Sequence, residues 1–183
     1  MIRTTLLTLA VSALALGAAA APARSAASQH ADRVHAANLS KEDRDFLNDA
    51  AQGGLLEVKL GEVAVKQAGS DDVKKFGQRM IDDHTKVNSR LADIARDAGV
   101  ILPTELTKKQ QDDVTKLSQL AGAKFDKEYM SRMVDDHEHD VKAFEKASKD
   151  SKDPALKQFA ASTLPTLHEH LTMAKQIDDR IKK

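Results

Sequence analysis

Residues 80–84 read Met-Ile-Asp-Asp-His, and residues 133–137 read Met-Val-Asp-Asp-His. The match extends outward in the same frame: Arg79 with Arg132, Phe76 with Tyr129, Leu91 with Phe144. Carboxylates and imidazoles grouped this way can serve metal binding or proton transfer, but only where the chain folds them onto a common site. The helical period decides which of them turn inward. His84 falls in an apolar stripe with Val73, Phe76, Met80, Val87, Leu91 and Ile94. His137 shares one with Met130, Met133, Val141 and Phe144, and His170 one with Leu156, Ala160, Thr163, Leu167, Ala174 and Ile177. Glu57 occupies the same position among Phe46, Leu47, Ala50, Gly54, Gly61, Ala64 and Ala68. Four apolar stripes thus carry one ionisable residue each.

Those stripes require four long helices. Ser40-Lys41-Glu42-Asp43 opens the first as a capping box. Gly69 stops it and Ser70 restarts the chain for a second helix, over about 71–98. After Pro103, Thr107 with Gln110 caps a short helix carrying Val114, Leu117 and Leu120, which stops near Gly122. A third long helix spans about 123–149. Asp153-Pro154 then opens the last, in which Pro165 should introduce a slight kink. No stretch alternates with period two. The expected fold is all-α: an antiparallel four-helix bundle over residues 40–183, with the short extra helix between the second and third long ones.

Counting along the helices puts the four inner residues at similar heights. His84 lies about 14 residues before the end of its helix and His137 about 14 after the start of the next long one. Glu57 lies about 11 before its turn, and His170 about 17 after the Asp153 turn. At a rise of about 1.5 Å per residue, they fall within roughly one turn of each other. An isolated carboxylate in such a core is costly. Two arrangements relieve it. Glu57, His84, His137 and His170 could ligate a divalent metal or iron, since three nitrogens and one oxygen suit zinc, copper or iron. Alternatively, protonated imidazoles and trapped water neutralise Glu57 in a polar core with no metal.

The remaining acidic and histidine residues read as outer. Residues two apart on a helix do not share a face, so His139 and His168 point to the surface. Asp82-Asp83 and Asp135-Asp136 fall on outer or flanking positions, though Asp83 or Asp136 could orient a neighbouring imidazole. Met80 and Met133, one turn before the histidines, are expected to pack in the core, with copper ligation through the thioether as the alternative.

Composition excludes several functions. Lys plus Arg equals Asp plus Glu at 28 each, so no basic field argues for nucleic acid. There is no cysteine, which removes disulfides, thiolate ligands and a Cys nucleophile. No Gly-x-Ser-x-Gly or glycine-rich phosphate loop occurs, so no enzyme activity is assigned. Carboxylate-bridged di-iron bundles need Glu-x-x-His on two helices, and the chain contains none. At the N-terminus, Arg3, an apolar run from Leu6 to Leu16 and small residues after it read as a secretory signal peptide over residues 1–26. The run is short of the roughly 20 residues that span a bilayer. Residues 27–39 read as a flexible leader, and the mature chain is expected in the periplasm with no transmembrane segment.

Four stretches carry a family resemblance: GLLEVKLGEVA (54–64), VKKFGQRMIDDHTKVNSRL (73–91), GAKFDKEYMSRMVDDHEHDVKAFEK (122–146) and FAASTLPTLHEHLTMA (159–174). In this order they resemble the bacterial exported family called domain of unknown function 4142. The resemblance implies a ferritin-like bundle and export. It implies no reaction, substrate or partner, and leaves a protein partner open. Members are often labelled predicted outer membrane proteins, but this chain has neither a lipobox cysteine nor the alternating strands of a barrel. The functional expectation is a metal-binding or stress-related role through the inner Glu/His cluster, or else a structural or interaction module with a polar core.

Overall fold

The structure, a computed structural model, describes residues 39–182. The segments read as signal peptide and leader lie outside it, apart from Leu39. That residue is buried against the core one position ahead of the cap that marks the domain start.

Five helices follow in chain order: α1 Lys41–Gln67, α2 Asp71–Asp97, α3 Lys108–Ser118, α4 Gly122–Asp150 and α5 Pro154–Ile181. Four of the five starts are capped by side chains, while Ala121 at the head of α4 makes no such bond. Thr107 and Gln110 form the complete capping box of α3. Asp153 accepts from the amides of Ala155 and Leu156, both at 2.9 Å, at the head of α5. At α1 only half the box forms. Ser40 Oγ accepts from the Asp43 amide, but the Asp43 carboxylate turns away and accepts from the Lys152 amide at 3.3 Å. It thereby ties the start of α1 to the α4–α5 turn. Helix α5 continues through Pro165 as one element.

The chain does not simply zigzag. Helices α1 and α2 form one hairpin, and α4 and α5 the other. Gly122, at the start of α4, lies against Ala68 and Gly69 at the end of α1, not against the end of α2. Asp126 fixes this junction by accepting from the amides of Gly69 at 3.0 Å and Ser70 at 2.9 Å. Residues 98–121 therefore carry the chain the full length of the bundle. On the way α3 runs beside α1, linked by Gln52 to Gln110 at 2.6 Å and by Gln67 to the Ser118 carbonyl at 3.4 Å. Gly122 takes φ 60°, a conformation that suits glycine at this sharp junction. The end of α2 and the start of α4 are therefore not neighbours, contrary to the expectation from counting along the helices. The count still gives the right height because His84 and His137 both sit near mid-helix.

The apolar core falls into two clusters. One contains Leu60, Phe76, Met80, Tyr129, Met133 and Ile177; the other Leu47, Leu91, Phe144, Leu156, Phe159 and Leu167. Between them, one residue from each long helix forms a polar layer: Glu57, His84, His137 and His170. Met80 and Met133 are fully buried in the first cluster, as packing residues. Among the described residues no helix is long and apolar enough to cross a membrane.

Candidate metal centre

Small residues bring α1 and α2 close enough for the layer to form. A Cβ on Gly61 would lie 2.7 Å from the Gly77 carbonyl oxygen, and one on Gly77 would lie 2.7 Å from the Ala64 Cβ. A Cβ on Gly54 would lie 2.0 Å from Asn88 Oδ1. This close approach places the Glu57 carboxylate against His84, with Oε2 2.9 Å from Nδ1. Both side chains are 3% exposed.

The other two histidines are held from outside the layer. His137 Nδ1 donates to the Met133 carbonyl at 2.9 Å, one turn back on its own helix. His170 Nε2 donates to Asp83 Oδ2 at 3.1 Å. These partners set the tautomers, leaving a lone pair on His137 Nε2 and another on His170 Nδ1. The two nitrogens face each other at 3.3 Å. Two lone pairs at that distance repel unless a positive charge, a proton or a metal ion, lies between them. His137 Nε2 is also 3.4 Å from Glu57 Oε1. Two buried atoms of the layer have no hydrogen-bond partner, Glu57 Oε1 and His84 Nε2.

One nitrogen from each of His84, His137 and His170 lies within 4.8 Å of the other two. Ligands about 2.0–2.1 Å from a tetrahedral zinc stand about 3.3–3.4 Å apart. The His137–His170 and His137–Glu57 separations already have that length. Glu57 lies outside the tightest group of three. One of its oxygens orients His84, and the other adjoins His137. Of the four inner residues expected from sequence, the structure thus gathers three imidazoles and sets the carboxylate beside them.

The flanking carboxylates divide into two kinds. Asp83 performs the orienting role that its position allowed, and Arg79 supports it at 3.1 Å while binding Glu169 at 2.6 Å. Asp136 instead pairs with Arg132 at 3.3 Å and does not hold an imidazole. His139 and His168 are exposed, as their spacing predicted. Asp140 is a further carboxylate near the layer that the helical stripes do not reveal. It lines a groove between α1 and α4 together with Glu57 and Asp136. Only its position three residues after His137 hinted at this.

Charges in the layer respond to burial and to one another. Burial pushes the Glu57 carboxyl up, but His84 and His137 outweigh it, helped by His170, and hold it down at about 2. For His84, burial favours the neutral ring, yet Glu57 raises it above the ordinary histidine value. Burial lowers His170 to about 4 despite the bond to Asp83, with His84 and His137 adding to the drop. Two members of one cluster should therefore titrate on opposite sides of the free-histidine value of about 6.5. The raised His84 contributes stability present below about pH 6.5 and lost as pH rises through its folded value. The depressed His170 contributes stability present above about pH 6.5 and lost as pH falls toward 4. Imidazole resonances of the metal-free protein should show one midpoint near 4 and one above 6.5. A common midpoint for both rings would contradict the arrangement.

Asp83→Asn tests the outer support. The amide can still accept from His170 Nε2, but without the charge that makes the imidazole a strong donor atom. If the imidazoles hold a metal ion, its affinity should fall about 10–100-fold, measured by competition with a chromophoric chelator. An unchanged affinity would remove Asp83 from the site.

The fold is thus a bundle of antiparallel helices with a full-length crossover and a buried Glu/His layer at mid-height. The chain belongs to the family described as Domain of unknown function (DUF4142), which it matches over residues 19–177. Among solved structures it is similar to a DUF305 fragment from Deinococcus radiodurans, with a TM-score of 0.68 and 11% identity, over 78% of this chain and 98% of that one. That likeness is one of fold. No curated protein matches the chain.

Proposed function

We propose that this protein binds one divalent transition-metal ion in its core, through His84, His137 and His170 with Glu57 as the anionic partner. The observation that carries this reading is the pair of lone pairs on His137 Nε2 and His170 Nδ1, held face to face at 3.3 Å by outer hydrogen bonds. Oriented, dry imidazoles with a carboxylate alongside are the donor set for zinc, copper or iron. When bound, the ion would supply the positive charge that the layer needs. The protein's own part is to hold the nitrogens, exclude water and keep Glu57 ionised. The missing Glu-x-x-His residues argue against a ferritin-type oxidase, and the role is one of metal binding or stress protection. The N-terminal basic residue and apolar run support a place outside the cytoplasm, in the periplasm.

A second reading has its own support. The Glu57–His84 pair at 2.9 Å is already an ion pair once His84 is protonated, and a proton between His137 and His170 would complete a polar core without metal. Metal analysis of the purified protein beside a His84→Ala/His137→Ala variant separates the two. The metal reading predicts one ion per chain in the wild type and none in the variant. Equal content in both would reject it.

A further inference from the structure

The two flanks of the site differ. Between α2 and α5, Asp83 bonds His170, and Arg79 spans from Asp83 to Glu169, so a salt-bridged strap lies over His170. Between α1 and α4 the situation differs. Helix α3 packs along the upper part of that interface, but the lower part is left as a groove of about 870 Å³ that reaches Glu57. Gly53 and Ala143 form its walls, and Asp136 and Asp140 stand beside Glu57 within it. Glu57 Oε1, on a side chain buried to 3% exposure, has no hydrogen-bond partner. These three carboxylates present oxygen donors in the groove, and Glu57 in turn adjoins His84 and His137. Asp43, Asp45, Asp49 and Asp150 also line the groove and outnumber its Lys146 and Lys152, and a mostly acidic cleft concentrates cations and raises their on-rates.

We infer that the α1–α4 groove is the route by which a divalent cation reaches the histidines, with Asp136 and Asp140 as the carboxylates that receive it and Glu57 as the residue that passes it inward. The inference rests on the metal-binding reading above. Hydrated divalent ions take oxygen ligands readily, and nitrogen-rich sites hold transition metals more tightly. The carboxylates therefore govern how fast the ion arrives, and the imidazoles govern how tightly it stays.

Gly53 offers a direct test, because a Cβ there meets nothing within 4 Å. Gly53→Leu extends a side chain into the groove from a Cβ with open space around it, and Ala143→Phe narrows the groove from the facing helix. Co²⁺ is mixed rapidly with metal-free protein, and its binding is followed by the visible absorption of four-coordinate cobalt, with equilibrium affinity measured separately. Both filling variants should bind at least about tenfold more slowly while keeping the wild-type affinity within about twofold. Asp136→Asn/Asp140→Asn should lower the association rate about tenfold and flatten its salt dependence. Glu169→Ala, which loosens the strap on the opposite side, should leave the rate unchanged. Wild-type rates in both filling variants would overturn the route, as would a faster rate in Glu169→Ala alone. If the wild type itself shows no cobalt spectrum at any time, the metal-binding reading fails and the route with it.

Discussion

His137→Ala is expected to abolish the metal-dependent rise in melting temperature. His137 sits between the carboxylate and the third imidazole of the layer. Its Nε2 faces both His170 and Glu57, and its Nδ1 is anchored to the Met133 carbonyl. Removing it takes away the ligand common to the two separations that match a tetrahedral site, so the loss of affinity should exceed the ~10–100-fold attached to an outer partner. With free metal at about 100 times the dissociation constant, binding stabilises the folded state by about 2.7 kcal/mol. For a domain of this size that is about 5–10 °C in melting temperature. The wild type should show this rise with zinc and lose it with a chelator. The variant should show neither, whatever its own baseline. A rise of the same size in the variant would place the metal elsewhere.

The second large effect is structural. Gly61→Ala should destabilise the bundle by about 2–3 kcal/mol, measured by denaturant unfolding, because the new methyl group meets the Gly77 carbonyl oxygen at 2.7 Å. The helices can relieve this only by separating, which also stretches the Glu57–His84 contact. The variant should therefore bind metal less tightly as well. Gly53→Ala, eight residues earlier on the same helix, should do the opposite. Its Cβ has open space, and replacing a mid-helix glycine removes a cost of about 0.5–1 kcal/mol. Equal effects at the two positions would mean that α1 and α2 are not in the contact described.

Much of the site was legible because a helix offers only one inward stripe. Glu57, His84, His137 and His170 were found by period alone, and their common height by counting from helix ends. The count survived a wrong assumption about direction, since residues near mid-helix keep their height whichever way a helix runs. The direction itself was not legible. It depends on Asp126 reaching the Gly69 and Ser70 amides, a contact between residues 56 and 57 positions apart. Leu56 and Leu60 also escaped the stripe reading of α1. That helix packs against both α2 and α4, so it buries a broader face than one stripe describes. The doubled Asp-Asp-His was misleading at its centre. Its two repeats look equivalent, yet Asp83 holds an imidazole and Asp136 holds Arg132, because different neighbours pack beside them. Periodicity finds the face a residue occupies, but what it meets there depends on the partner helix.

X-ray absorption of the zinc-loaded protein tests the central claim most directly. One zinc per chain, in a shell of about three imidazole nitrogens and one oxygen at about 2.0–2.1 Å, is the predicted result. An oxygen-only shell without imidazole scattering, or the same spectrum from His84→Ala/His137→Ala, would contradict it.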